Sequence, residues 1–346
     1  MAAKQDVGEV CAKKQEDQIM KAAWFKKQGA ARDVLMVGEQ PKPSPSKGEV
    51  LIRVHVSAVN PSDTNRRAGR VGHSTSGLVI PHYDGAGVIE AVGEDVTDVW
   101  VGKRVWTNIG STYPILGTAA QYAVLPEENV AVLPDAVSFE HGACLGVPAM
   151  TAWCCLFSDG SIKGNTVLVT GGAGAVGHYA VQLAKWAGAR VVATVSSDSK
   201  AEFAREGGAD HIINYRDQDV ASRVMEITGG DGVDRVVDVD LGANVTALLG
   251  ALKIGGVIAT YASQAEHFPS IDAYGAMRKS MTLKFVLLPM EAAEQRREAR
   301  AGITQWLQST PAIHQIHQSF ALEDIADAHE VVEAGQKRGC VLVALP

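Results

Sequence analysis

Val167-Leu-Val-Thr-Gly-Gly-Ala-Gly-Ala-Val-Gly-His-Tyr-Ala-Val-Gln-Leu-Ala-Lys-Trp-Ala187 decides the fold. A short apolar run ends at Thr170, a glycine-rich turn follows, and apolar residues then recur at helical spacing to Ala187. Within it, Gly172-Ala-Gly-Ala-Val-Gly177 matches the six-residue dinucleotide fingerprint in its required setting, directly after a strand and opening a helix. The first glycine allows the tight turn, the second lets a pyrophosphate approach the backbone, and the third permits close packing of helix on strand. Gly172, Gly174, Ala175, Val176 and Gly177 are therefore the expected phosphate cradle, backed by the free N–H groups and partial positive charge of the helix start. A glycine turn alone also serves plain packing; the flanks give this one its meaning.

Outward from that turn the texture divides the chain. From about 148 to 288, apolar strands alternate with helical segments, including Arg190 to Val195, His211 to Ile213, Arg235 to Val239 and Gly256 to Tyr261. Repeated βα units of this size build a Rossmann doubly wound parallel sheet with helices on both faces. From Met20 to about 147 the signals are short β runs broken by Gly and Pro, such as Val50 to Val59 and Gln121 to Leu125, and predict a mostly-β domain to which 289–346 returns. Residues 1–19 are polar and mixed in charge, and predict a mobile N-terminal extension ahead of the apolar run that Met20 opens. Asn60 to Pro81 is a long polar stretch carrying Arg66, Arg67, Arg70 and His73, expected as a loop, its arginines either a solvated face or an attraction for substrate.

Bulk properties exclude several function classes. A net charge of -7 offers no general attraction to nucleic acid or anionic lipid. No apolar stretch is long enough to span a membrane, and the N-terminus lacks the order of a secretory signal, so a cytoplasmic protein is expected. The five cysteines, Cys11, Cys144, Cys154, Cys155 and Cys340, show no paired-ligand spacing and are read as reduced thiols.

The adenosine-ribose selector falls at the end of the second Rossmann strand, where Ser196-Ser197 stand in place of an acid. Small hydroxyl residues leave room for a 2′-phosphate, Lys200 can supply its counter-charge, and Asp198 is read as the N-cap of the next helix. NADPH is the cofactor this pattern predicts.

Four motifs over Met20 to Pro346 resemble the medium-chain dehydrogenase/reductase superfamily. They are Val59-Asn-Pro-Ser-Asp63, Asp84-Gly-Ala-Gly-Val-Ile-Glu-Ala-Val-Gly93, Val169 to Gly177, and Gly208-Ala-Asp-His-Ile-Ile-Asn-Tyr215. The resemblance is to its zinc-independent quinone oxidoreductase branch, which includes zeta-crystallin. It implies a GroES-like catalytic domain beside the Rossmann domain, with a cleft between them, and a 2′-phosphate held by Lys200 and Tyr215, which stand at the spacing of such a pair in relatives. Positions that carry catalytic zinc ligands in the alcohol dehydrogenase branch hold Asn60, Tyr83 and Val147, a set with too few N, S or O donors for zinc; His82 is adjacent but expected to point elsewhere. One departure is Asn65, where quinone reductases of the branch often carry an aromatic residue.

Without a metal, the chemistry this implies is hydride transfer from NADPH to a quinone or related conjugated carbonyl, whose developing negative oxygen needs only hydrogen-bond donors. Asn60, Tyr83 and Thr151 are the candidate donors, with Asp63 orienting the loop; each also reads as a structural hydrogen-bonding residue. Tyr261 is expected to wall the nicotinamide side, His178 to pack or touch phosphate, and Met150 and Trp153 to be core. An enoyl or alkenal reductase, or a structural or RNA-binding relative, are the alternatives. The apolar strand Thr282 to Leu288, expected at a sheet edge, predicts a homodimer.

Overall fold

A computed structural model describes residues 18–70, 77–108, 110 and 116–346. The chain divides into two compact units, Met1–Gly146 with Ile316–Pro346, and Val147–Gln315.

The first unit contains β1 (Ile19–Trp24), α1 (Ala31–Val34), β2 (Met36–Pro41), β3 (Glu49–Val59), α2 (Pro61–Ala68), β4 (Asp84–Val92), β5 (Arg104–Thr107), β6 (Tyr122–Pro126), β7 (Val130–Val132) and α3 (Phe139–Ala143). The chain's end adds β14 (Ile316–Ala321), α11 (Ile325–Glu333) and β15 (Cys340–Ala344). Seven strands form one sheet in the order β14-β15-β3-β4-β5-β7, with β6 also on β3, while β1 and β2 make a separate ribbon. β3 is the organiser. Its eleven residues pair antiparallel with β4, β6 and β15, so residues from the last strand of the chain complete a sheet begun near its start. Three apolar clusters among the described residues hold the unit, one around Ile52, Ile89 and Leu125, one around Ile80, Ile325 and Val341, and a small one of Phe25, Val34 and Val79.

The second unit runs through α4 (Gly146–Phe157), which starts at the unit boundary, β8 (Thr166–Val169), α5 (Ala175–Trp186), β9 (Arg190–Val195), α6 (Asp198–Glu206), β10 (His211–Asn214), α7 (Val220–Ile227), β11 (Val233–Asp238), α8 (Leu241–Ala251), β12 (Leu252–Thr260), α9 (Ala273–Lys279), β13 (Thr282–Phe285) and α10 (Ala293–Ser309). Its six strands are all parallel in the order β10-β9-β8-β11-β12-β13. That is the doubly wound arrangement, and the order reverses between β8 and β11. The inner strands read as continuous apolar runs because helices cover both their faces, as Val167, Leu168, Val169, Val236 and Val237, all fully buried, illustrate.

Three sequence expectations change here. The second unit continues to Gln315 rather than closing at 288: Trp306 on α10 is fully buried with its ring edge-on to Tyr179, and Gly302 lies so close to Trp153 that a Cβ would fall 1.8 Å from the indole. Those aromatics fasten α10 to this unit, and the polarity of its outer face hid that in the sequence. Ile19, assigned to the N-terminal extension, is the first residue of β1 and pairs with Pro41. The polar stretch after Asn60 is not all loop, since Pro61–Ala68 is a helix with Pro at its first position and Gly69 in a left-handed cap. The rest of the N-terminal extension, Cys11 and His73 lie outside the described residues. No helix among the described residues is long and apolar enough to cross a membrane.

Candidate active site

In the second unit the glycine turn bridges β8 and α5. Gly171 takes the positive φ of 64° that turns the chain, one residue before the fingerprint begins. Gly172 lies against β9, donating its N–H to the Thr194 carbonyl at 2.9 Å. Gly177 has the strictest requirement: a Cβ there would stand 2.2 Å from the Gly171 carbonyl oxygen. Gly174 caps α5, and an added Cβ would meet only that same oxygen, at 3.3 Å, so the space before the helix is open. Ala175, Val176 and Gly177 then present first-turn N–H groups that lack intrahelical acceptors.

A cavity of about 470 Å³ adjoins this turn, lined among others by Gly171, Thr194, Tyr215, Val239 and Asn244, at the carboxyl ends of β8, β9 and β11. Ligands of doubly wound sheets bind at this place, beside the point where the strand order reverses. Lys200 reaches back one turn of α6 to donate to Ser196 Oγ at 3.0 Å, and Tyr215, 51% exposed, follows β10 with its N–H on the Val195 carbonyl. Ser196, Lys200 and Tyr215 thus gather at the end of β9. Ser197, not Asp198, is the N-cap of α6; Asp198 is its first residue, where a carboxylate faces the helix's positive end. Tyr261 is half-buried just past β12, its N–H on the Asp238 carbonyl and its hydroxyl pushed well above the usual tyrosine range by burial. His178 packs against Phe203 and receives a 3.3 Å contact from Gln315 Nε2, and burial lowers its imidazole to about 4. Thr151 is buried on α4.

One residue of this region was missed by the sequence reading. Asp238, fully buried at the end of β11, accepts hydrogen bonds from Thr170 Oγ1 (2.9 Å), Asn244 Nδ2 (2.9 Å) and Thr260 Oγ1 (3.0 Å). Burial raises its carboxyl pKa against the pull of those donors. The knot ties three strand ends and α8 behind the cavity; in the sequence Asp238 is one polar residue ending an apolar run.

In the first unit, Asn60 and Asp63 form a capping box on α2. Asn60 N–H donates to Asp63 Oδ2 at 2.7 Å while the Asn60 side chain accepts from the Asp63 backbone. The Asn60 amide also donates to Asp84 Oδ2 at 2.8 Å. With its oxygen and one amide hydrogen engaged, Asn60 keeps a second hydrogen for another acceptor. Burial drives the Asp63 carboxyl well above the usual range, and Asp84 adds to that against the Asn60 hydrogen bond. Asp84, the second residue missed, is fully buried against Gly146, where a Cβ would stand 2.1 Å from its Oδ1. Tyr83 is buried with its carbonyl accepting from Thr107 Oγ1 at 2.9 Å.

Neither reading of the loop arginines survives for Arg67. It is fully buried and spans α2 to α11, with Nη2 2.6 Å from Glu333 Oε1 and Nη1 on the Gly29 carbonyl. Arg66 is buried as well, which excludes a solvated face. Arg70 lies on the surface, 3.7 Å from the same Glu333 carboxylate. His82, with φ of 73°, turns inward to Ser57 Oγ (2.8 Å) and His329 Nε2 (2.9 Å), and burial holds it down to about 3.

Among the described residues no group of three or more His, Cys, Asp or Glu could hold a metal ion. Asn60, Tyr83 and Val147 do not fit catalytic zinc: one is an amide that donates to the Asp84 carboxylate, one is a phenol and one is aliphatic.

A doubly wound unit with a glycine cradle and a β unit with a buried amide–carboxylate cluster, in one chain, define an oxidoreductase of the medium-chain dehydrogenase/reductase class. Residues 46–135 match the family described as alcohol dehydrogenase GroES-like domain, and 175–305 that described as zinc-binding dehydrogenase. A quinone oxidoreductase of Sus scrofa is 30% identical over 296 residues, covering 83% of this chain and 86% of that protein. A 2-haloacrylate reductase of a Burkholderia species is 38% identical over 223 residues, 63% of this chain and 66% of its own length. A mycobacterial protein solved in complex with NADPH superposes with a TM-score of 0.81 at 29% identity, covering 94% of this chain and all of that one. The chain belongs to the quinone oxidoreductase, zeta-crystallin-like branch of that superfamily.

Proposed function

We propose that the protein is a zinc-independent, NADPH-dependent reductase that delivers hydride to quinones or related conjugated carbonyls. The observation that carries this reading is Asn60, a buried amide locked by Asp63 and Asp84 with one hydrogen to spare, in place of a metal ligand. NADPH fits the second unit: the open space at Gly174 and the first-turn amides of α5 suit its pyrophosphate, and Ser196, Lys200 and Tyr215 suit its 2′-phosphate. When bound it supplies the hydride. The chain's own part is to anchor the phosphates, to set Tyr261 beside the nicotinamide, and to offer the Asn60 N–H to the acceptor oxygen as its negative charge grows. Tyr83 and Thr151 are the further donors, and Asp63 fixes the angle at which Asn60 is held.

The relative that reduces a 2-haloacrylate favours a second reading, in which the acceptor is an α,β-unsaturated acid or enal. Both readings share the hydride and the growing oxyanion, and differ in what fills the acceptor space. A panel of ortho- and para-quinones, enals, enoyl thioesters and saturated aldehydes, run with NADPH and with chelator present, separates them. Quinones are expected to turn over best and the chelator to be without effect; saturated aldehydes as best substrates, or loss of activity with removed zinc, would reject the proposal.

A further inference from the structure

The first unit holds a run of buried polar side chains to which neither cofactor binding nor hydride transfer gives a task. His329 on α11, His82 before β4, Ser57 on β3 and Thr118 are all buried. Nε2 of His329 lies 2.9 Å from Nε2 of His82, and Nδ1 of His82 lies 2.8 Å from Ser57 Oγ. Ser57 Oγ is 2.8 Å from Thr118 Oγ1, which donates to the Asp84 carbonyl at 2.7 Å. The run thus connects α11 to the first residue of β4, whose carboxylate accepts from Asn60. His82 enters it from a left-handed backbone, φ 73°, which glycine adopts freely and a side chain only at a cost. A strained position filled by histidine points to a task for the ring.

The last link fixes the direction of all the others. A carbonyl oxygen only accepts, so the single Thr118 hydroxyl proton goes to Asp84; were it turned to Ser57, two acceptor oxygens would face each other at 2.7 Å. Ser57 Oγ also lies 3.4 Å from that carbonyl, so its one proton is directed to Thr118 and Asp84, and it accepts from His82 Nδ1–H. Burial holds the His82 imidazole down to about 3 and hence neutral, so a proton on Nδ1 leaves Nε2 bare. His329 then donates from Nε2. Its Nδ1 has no hydrogen-bond partner among the described residues, which suits a bare lone pair better than a buried N–H. The rings agree with this reading. Centroids 5.1 Å apart are close to the greatest separation that nitrogens 2.9 Å apart allow, so the imidazoles, 25° from coplanar, meet edge to edge as an in-line N–H···N bond requires.

We propose that His82 and His329 are positioning residues, acting through Ser57 and Thr118 to hold Asp84, and so the Asn60 amide, at one angle to the acceptor oxygen. Donors aligned in one direction polarise one another, so the chain grips the Asp84 carbonyl more firmly than Thr118 would alone. The Asp84 carboxylate has little freedom of its own, since a Cβ on Gly146 would stand 2.1 Å from its Oδ1. A shift of the Asp84 backbone is therefore passed on to Asn60, whose amide donates to that carboxylate at 2.8 Å. The effect on turnover rests on the reading of Asn60 as the donor; the direction of the chain does not.

The test begins with nitrogen–proton correlation spectra of the imidazoles in the full-length enzyme, isotope-labelled at histidine nitrogen, with His82→Asn and His329→Gln assigning the two rings. At neutral pH the spectra should show His82 protonated at Nδ1 alone and His329 at Nε2 alone; His82 protonated at Nε2, or either ring at both nitrogens, would overturn the chain. In steady-state kinetics His329→Leu should lower kcat by about ten- to hundredfold, as for a slightly misplaced catalytic group, and leave the KM for NADPH unchanged. His329→Gln, whose side-chain N–H can stand in for that of Nε2, should restore most of the loss, which filling the space alone would not do. Thr118→Val breaks the chain at its other end with a side chain of the same shape and should repeat the fall in kcat, with Thr118→Ser restoring it. That second pair carries the test if a melting curve finds His329→Leu unfolded. Full kcat in the folded Leu or Val variant, or a loss that neither Gln nor Ser repairs, would overturn the positioning role. Asn60→Ala at full turnover would instead sink the donor reading and the coupling built on it, with the spectra still deciding the chain.

Discussion

At the scale of single residues, we place cofactor choice at the end of β9. Ser196 accepts from Lys200 where an NAD enzyme would place a carboxylate for the ribose diol, so a 2′-phosphate meets no repulsion there. A charge-assisted contact of this kind contributes roughly 1.5–3 kcal/mol, about one to two powers of ten in affinity. Steady-state kinetics of Lys200→Ala should therefore show the Michaelis constant for NADPH rising by about that factor and that for NADH nearly unchanged; equal effects on both would remove Lys200 from the phosphate site. Ser196→Asp should move preference toward NADH. The position of these residues at the end of β9 was legible in the sequence because a fingerprint fixes where to look. Arg67, Asp84 and Asp238 were not, since each draws its role from a partner far along the chain: Glu333, Asn60 and Thr170. A charged residue in a polar stretch reads as surface until the fold brings its partner to it.

At the scale of elements, the parallel strands of the second unit were readable from their length and their apolar, β-branched composition. The helix Pro61–Ala68 was hidden because its hydrophobic content is low and its buried face is made of Asp63, Thr64, Arg66 and Arg67. The edge strand β13 matches its expected place: among the described residues it pairs only with β12, and Phe285 and Leu287 are 67% and 55% exposed. An open edge with apolar side chains invites pairing with a second copy, and we infer a homodimer through it. Phe285→Lys puts a charge on that edge while leaving the β12 side untouched. Light scattering at micromolar concentration should give a dimer for the parent protein and a monomer for the variant, with unchanged melting by circular dichroism; a parent that scatters as a monomer would refute the inference.

Across the whole molecule, stability should respond to acid through its buried imidazoles. His82 is held to about 3 and His178 to about 4, against an ordinary value of 6.5, and His329 is also well below it. A depressed histidine is neutral in the fold and protonated first in the unfolded chain, so the unfolded state binds more protons throughout that window. Stability is complete above about 6.5 and falls as pH drops toward 3, each such group contributing at most about 1.4 kcal/mol per pH unit. Asp63, whose carboxyl is raised, acts in the opposite sense, its contribution being lost as pH rises through its folded value. Urea midpoints between pH 7.5 and 4.5 should decline with acid, and His82→Asn, which suits the left-handed backbone at that position, should flatten the slope. A slope identical in both proteins would exonerate His82.

The return of the final strands to β3 also has a consequence for synthesis. A ribosome releases the chain from its N-terminus, and domains fold as they emerge. The residues of the second unit are contiguous, so that unit can close before β15 is made. The first unit cannot: β3 waits for Val341 to Ala344, which are made only after the whole of the second unit. Until then Val56, Ala58 and Val59 present an unpaired edge to solvent or to a chaperone. The first unit is thus the later of the two to become native, and a stop after Gln315 and before Val341 leaves it unfinished while the second unit is complete.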